Sequence, residues 1–261
     1  MESFLNTAVK IAREAGALLN ERYERPHEIS YKRPMDIVTE ADRRSEALIT
    51  ERLRKSYPSH GIVAEEGGGN KSSSDYCWYV DPLDGTTNFA HGFPMFCVSL
   101  GLARRNEVIA GVIYDPTRNE LYTAEQGGGA FRNGVRLRVS TIENLSEALL
   151  ATGFPPHTTD HERNIQYYFR FTQLSHGVRR AGSAALDLCM VASGRLDGFW
   201  ELKLNPWDKA AGVLMVTEAG GRVSDLSSGA FGLLEDEIFA SNGLVHEPMI
   251  QVFSEVLTRS R

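Results

Sequence analysis

The sequence predicts a layered α/β protein. Two observations carry that reading. Apolar residues at helical spacing alternate along the chain with short apolar runs bounded by turn residues. No repeat, low-complexity tract or linker divides the 261 residues, so one domain over 1–261 is expected.

The elements follow in order. Leu5, Ala8, Ala12, Ala15 and Leu19 mark one face of an N-terminal helix. The basic stretch "SYKRP", from Ser30, reads as a loop. Thr39 opens a second helix with apolar positions Ala41, Leu48, Ile49 and Leu53, and Pro58 lies just past its end. "GIVAEE" is a short strand ending in two acids, and residues 67–74 read as a flexible turn. Tyr76 to Val80, Phe96 to Ala103, Val108 to Tyr114 and Leu121 to Ala124 read as strands. "RNGVRLRV" holds an Asn-Gly hairpin signal. After a strand near Ala148 to Thr152 come a polar helix around Asp160 to Leu174 and another from Ser183 to Ala192. Residues 206–219 form a helix with Pro206 at its first position and Gly220 past its end. Strands near Val223 and Phe239 and a C-terminal helix complete the chain.

Composition narrows the function classes. Hydrophobic residues at 42% and charged residues at 24% describe an ordinary globular protein. No apolar stretch approaches a membrane span, and the N-terminus "MESFLNTAVK" has no signal-peptide core. Cys77, Cys97 and Cys189 are scattered, which fits reduced thiols and a cytoplasmic location. A net charge of -6 and a pI near 5.7 argue against a general nucleic-acid surface.

Chemistry concentrates in the carboxylates. "DPLDGTTNF" places Asp81 and Asp84 around Leu83 where an apolar strand ends. A turn explains Gly85 but does not call for two acids. Glu65 ends another strand, and Asp42 and Asp208 stand in the first turns of helices. Side chains at such ends can converge on one crevice. Close carboxylates repel unless cations compensate, and an all-oxygen set suits Mg²⁺. Spacing alone leaves other readings open. Asp42 completes a capping box with Thr39, Asp208 answers a helix dipole, and Glu65 can be a solvated turn acid.

These stretches resemble the inositol monophosphatase family of Mg²⁺-dependent, lithium-sensitive phosphatases. "DPLDGTTNF" and "WDKAAGVLMVTEAGG" are similar to its two signatures, and "DIVTEAD" and "VAEEGG" to the segments that supply its other acids. "RRAGSAALDLCMVASGRLDG" is similar to its bacterial branch. The resemblance runs over nearly the whole chain and implies a layered α-β-α-β-α sandwich. It implies that Glu65, Asp81 and the Leu83 carbonyl hold one metal ion, and that Asp81, Asp84 and Asp208 hold a second. Thr86 and Asp42, with Glu65, would serve catalysis by orienting and deprotonating water. The N–H groups of Gly85 and Thr86 would cradle the phosphate, and Ala184, Glu201 and Asp208 would meet the substrate's alcohol half.

The implied reaction is direct hydrolysis of a phosphate monoester, foremost myo-inositol 1-phosphate. Relatives with similar motifs act on fructose 1,6-bisphosphate, histidinol phosphate or 3'-phosphoadenosine nucleotides. The family also implies a homodimer, for which the aromatic and Arg residues between Phe154 and Arg180 are suited. Some bacterial members are accessory factors in ribosomal RNA transcription, which implies a protein partner there without direct nucleic-acid binding.

Overall fold

The computed structural model describes residues 3–25, 29–33, 36–70, 72–154 and 161–259. The first half of the chain runs α1 (Phe4–Arg22), β1 (Ile29–Arg33), β2 (Asp36–Thr39), α2 (Glu40–Ser56), β3 (Gly61–Ala64), β4 (Tyr76–Asp84), α3 (Thr86–Ala90), β5 (Cys97–Arg104), β6 (Glu107–Asp115), β7 (Glu120–Glu125), β8 (Gly129–Arg132) and β9 (Val135–Arg136). The second half runs β10 (Leu149–Thr152), α4 (His161–Leu174), β11 (Gly177–Arg179), α5 (Ala184–Ala192), β12 (Gly198–Leu202), α6 (Pro206–Glu218), β13 (Arg222–Ser224), β14 (Glu237–Ser241) and α7 (His246–Arg259).

The strands form a seven-stranded sheet in the order β3-β4-β5-β6-β7-β8-β9 and a five-stranded sheet in the order β11-β10-β12-β14-β13. Strand alternation gives each sheet two apolar faces, and helices cover all four. On one side of the larger sheet, Ala8, Ala12, Ala15 and Leu19 of α1 and Ile49 and Leu53 of α2 pack on Val80, Leu100 and Leu102. Between the sheets, α5 and α6 pack on Ile113 and Tyr122 of one and Phe199 and Ala240 of the other. Beyond the smaller sheet, Tyr167 and Phe171 of α4 and Met249 and Phe253 of α7 cover Trp200 and Phe239. This is the layered α-β-α-β-α sandwich expected from the resemblance.

Close approach sets the depth of α6, whose first turn carries Asp208. A Cβ on Gly101 of β5 would lie 2.7 Å from the Ala210 Cβ, nearer than two carbons can stand.

One expectation is corrected. "SYKRP" is not a loop, since Ser30 to Arg33 lie in β1, which pairs antiparallel with β2. The alternation was hidden because the strand gains partners, not burial: Tyr31 is 68% exposed, while Lys32 on the other face meets Glu65 and Glu66. Pro34, Lys71 and the segment 155–160, which includes the expected helix start at Asp160, lie outside the described residues.

Candidate active site

Two of the parallel strand pairs, one in each sheet, end at the same cleft. Strands β3 and β4 are parallel, so Glu65, just after β3, and Asp81 and Asp84, at the end of β4, share one edge of the larger sheet. Strands β10 and β12 are parallel in the smaller sheet, which brings Gly153 and Glu201 to a corresponding edge. The cleft between these edges encloses about 460 Å³. Glu65, Asp84, Gly85, Thr86, Ala184, Glu201 and Asp208 all line it. Asp42, Asp81 and Leu83 stand behind that wall, 0%, 2% and 0% exposed.

A bulge explains why two acids flank Leu83. Asp81 pairs with Ser99 and Asp84 with Cys97, so three steps along β4 match two along β5. The extra residue turns Leu83 into the core with α1 and α2 and re-aims the acids, a common use of bulges near sites. The Leu83 N–H donates to Asp81 at 3.0 Å, and the Ser45 hydroxyl ties down the Pro82 carbonyl at 2.9 Å. Gly85 then takes φ 97°, and a Cβ there would lie 2.8 Å from the Met95 carbonyl oxygen. No other residue type fits that turn without strain.

Asp42 caps a helix and also reaches the turn after Asp84. Its Oδ2 accepts from the Thr39 N–H at 2.8 Å and the Thr39 hydroxyl at 2.6 Å, which closes the capping box. Its Oδ1 accepts from the Thr86 hydroxyl at 2.8 Å. That hydroxyl also lies 3.1 Å from the Leu83 carbonyl oxygen. One carboxylate therefore fixes both the start of α2 and the turn after Asp84.

Asp84 is anchored across the two halves of the fold. The Ser183 hydroxyl donates to it at 2.6 Å and the Ala185 N–H at 2.8 Å, both at the start of α5, and the Cys97 thiol lies at 3.8 Å. Asp208 accepts from the Asn205 N–H at 2.6 Å. Lys32 reaches from β1 to donate to Glu65 at 2.9 Å and to Glu66. Sequence reasoning passed over Lys32, Ser183 and Asp187. Asp187 did leave a signal, as the one charged residue in "AALDLCMVA".

Burial and like charge set the electrostatics of the cluster. Burial first, and then mutual repulsion among Glu65, Asp84 and Asp208, push Asp81 well above the usual carboxylate range. Burial and the same neighbours do this to Asp208. Burial raises Glu65 to about 7 although Lys32 pulls it down. Among the described residues, no three His, Cys, Asp or Glu side chains close into a ready-made metal cage. An open oxygen set of this kind fits Mg²⁺, which keeps several waters and shares its shell with substrate phosphate.

The comparisons agree with the fold. The family model described as "Inositol monophosphatase family" matches residues 1–258. Inositol-1-monophosphatase of Mesorhizobium japonicum is 42% identical over 98% of this chain and 98% of its own. The Nus factor SuhB of Escherichia coli K12 is 46% identical over 96% and 95%. The solved suhB extragenic suppressor protein of Bartonella henselae superposes with a TM-score of 0.93 at 41% identity, over 97% of this chain and 99% of that one. The chain belongs to the inositol monophosphatase family, whose members are phosphoric monoester hydrolases.

Proposed function

We propose that the chain acts as one catalytic unit, hydrolysing myo-inositol 1-phosphate with Mg²⁺ by direct attack of water. The observation that supports this best is the set of buried, mutually repelling carboxylates opening on a cleft of substrate size. Glu65, Asp81, the Leu83 carbonyl, Asp84 and Asp208 would hold the metal. Bound Mg²⁺ would lower the pKa of a coordinated water and neutralise phosphate charge.

The chain's own groups do the rest. The Thr86 hydroxyl donates to Asp42, so its oxygen lone pairs face a water and accept that water's hydrogen bond. Proton transfer through Thr86 places the water's proton on the Asp42 carboxylate and neutralises it, the form that burial already favours. The Gly85 and Thr86 N–H groups hold phosphate oxygens, fixed by the left-handed turn at Gly85. Ala184 and Glu201 meet the alcohol half. Positioning and charge neutralisation carry most of such a reaction.

A panel of inositol, sugar, amino-alcohol and nucleotide phosphates tests the reading. Turnover should appear with Mg²⁺, favour inositol 1-phosphate, fall with Li⁺ and vanish in EDTA. Full activity in EDTA would overturn the metal assignment, and preference for fructose 1,6-bisphosphate, histidinol phosphate or a 3'-phosphoadenosine nucleotide would change the substrate. A cytoplasmic location and a homodimer paired through residues 154–180 belong to the same reading, and light scattering reads the dimer. The described part of that segment exposes Ile165 and Phe169, and no described helix is long and apolar enough to cross a membrane.

A second role is favoured by the 46% identity to proteins named Nus factor SuhB: partnership with transcription machinery. Capture of RNA polymerase components from a lysate by an Asp81→Asn variant would separate it from catalysis.

A further inference from the structure

The cleft holds a second acid pair, apart from the residues assigned to the metal. Asp187, in the first turn of α5, is 2% exposed, and Glu201, on β12, is 6% exposed. Both line the cleft. Among the described residues, no donor hydrogen-bonds either carboxyl. Their oxygens are not sealed in the interior but open on the cleft, where a ligand can supply the donors that the chain does not. Burial first, and then the charge of Asp84 on Asp187 and of Asp187, Asp208 and Asp84 on Glu201, with Arg180 opposing, holds both acids well above the usual range.

The backbone is shaped around this pair. A Cβ on Gly153 would overlap both carboxylate oxygens of Glu201. Gly153 is held there by the Asn164 amide, which donates to its carbonyl at 2.7 Å, and Asn164 is fixed by the Trp200 indole N–H at 2.6 Å. The missing side chain at 153 is therefore the space into which Glu201 extends. Arg180 already brings positive charge to this end of the cleft. The floor thus lacks hydrogen-bond donors more than it lacks charge, which favours neutral hydroxyls over an ammonium group.

We propose that Asp187 is a specificity-determining residue, forming with Glu201 an acceptor floor that takes a phosphate monoester whose alcohol half presents two adjacent hydroxyls. This rests on the phosphatase reading above. Asp187→Asn keeps the shape and removes one charged acceptor, and Gly153→Ala pushes the Glu201 carboxylate aside without changing either acid.

The test measures kcat/KM with Mg²⁺ on inositol 1-phosphate, phosphoethanolamine and p-nitrophenyl phosphate. Each variant should lose about tenfold or more on the inositol ester beyond its loss on p-nitrophenyl phosphate, mostly through KM. Equal losses on the two esters overturn the proposal, and a loss concentrated on phosphoethanolamine overturns the choice of hydroxyls. Wild-type rates test the phosphatase reading by themselves. A second readout needs no turnover: myo-inositol should raise the melting temperature of metal-free wild type and not that of Asp187→Asn. The metal-free variant should melt at or above the wild-type temperature, because it relieves repulsion. A lower melting temperature with an unchanged ester ratio marks Asp187 as structural and sinks the idea.

Discussion

Buried acids occur in two regions of this molecule and live in opposite surroundings. Asp115, at the end of β6 and 0% exposed, accepts from the Thr117 N–H and hydroxyl at 2.8 and 2.7 Å, and pairs with Arg118. Asp197, before β12, takes the Leu149 N–H at 2.6 Å and the Ser140 hydroxyl. In the cleft, Asp81 has one donor, the Leu83 N–H, and Asp187 and Glu201 have none among the described residues. Burial alone does not distinguish the groups. Asp115 and Asp197 are saturated by their own chain and are architecture, whereas Asp81, Asp187 and Glu201 keep acceptor capacity for something that arrives later. Asp42 and Asp84 combine the two, fixed by the chain's donors while standing at or just behind the cleft wall.

The largest expected effect tests the cleft side of this contrast. Asp81→Asn should lower kcat at saturating Mg²⁺ by about a thousandfold or more, several kcal/mol of lost charge stabilisation. Metal-free variant protein should melt no lower than wild type, because one of several like charges is gone. Calorimetry beside single-turnover rates checks both. An unfolded variant would move Asp81 to the architectural class.

Next in size is a buried base on the architectural side. His246 is 0% exposed between the Ser241 and Ser224 hydroxyls, at 2.8 and 2.9 Å. Burial lowers its pKa from 6.5 to about 4. The unfolded chain therefore binds a proton that the native protein refuses, and stability is lost as pH falls from 6.5 towards 4. The loss amounts to as much as about 3 kcal/mol. Urea titrations at pH 7 and pH 4.5 should show this dependence shrinking in His246→Asn. An unchanged slope would put the acid sensitivity elsewhere.

A smaller effect closes the series. Asp115→Asn should cost about 1–3 kcal/mol of stability by leaving Arg118 without its charged partner. The kcat/KM per folded molecule should stay at the wild-type value. A drop in kcat/KM at full folding would show that the two regions are coupled.

Legibility in the sequence followed the same division. The layered α/β class, the Asn-Gly hairpin and the helix from Pro206 were readable because their signals are local, whereas the five-layer order came from the resemblance. The acids of "DPLDGTTNF" stood out because a bulge needs Pro and Gly beside them. Asp187 was hidden, since an acid in a first helical turn has an ordinary reading in the helix dipole. The α5 donors to Asp84 were hidden for another reason: they reach it across about a hundred residues of chain, and no window on one sequence spans that pairing. Strand β11, three residues from Gly177 to Arg179, is too short for a period to show.

The division of the acids between the two sheets also has a meaning in time. A chain growing from its N-terminus completes the larger sheet at Arg136 with Glu65, Asp81 and Asp84 in place. At that stage Asp84 lacks Ser183 and Ala185, and neither Asp187, Glu201 nor Asp208 has been made. Domains tend to fold as they emerge, yet here the first half emerges with the sheet face that α5 and α6 cover still bare and with an acid edge that has neither anchors nor opposite wall. No complete cleft can therefore exist before Asp208 has been made. Ligands that recognise the completed acid set can rescue a destabilised variant only after synthesis has passed Asp208, so their help is confined to the finished chain.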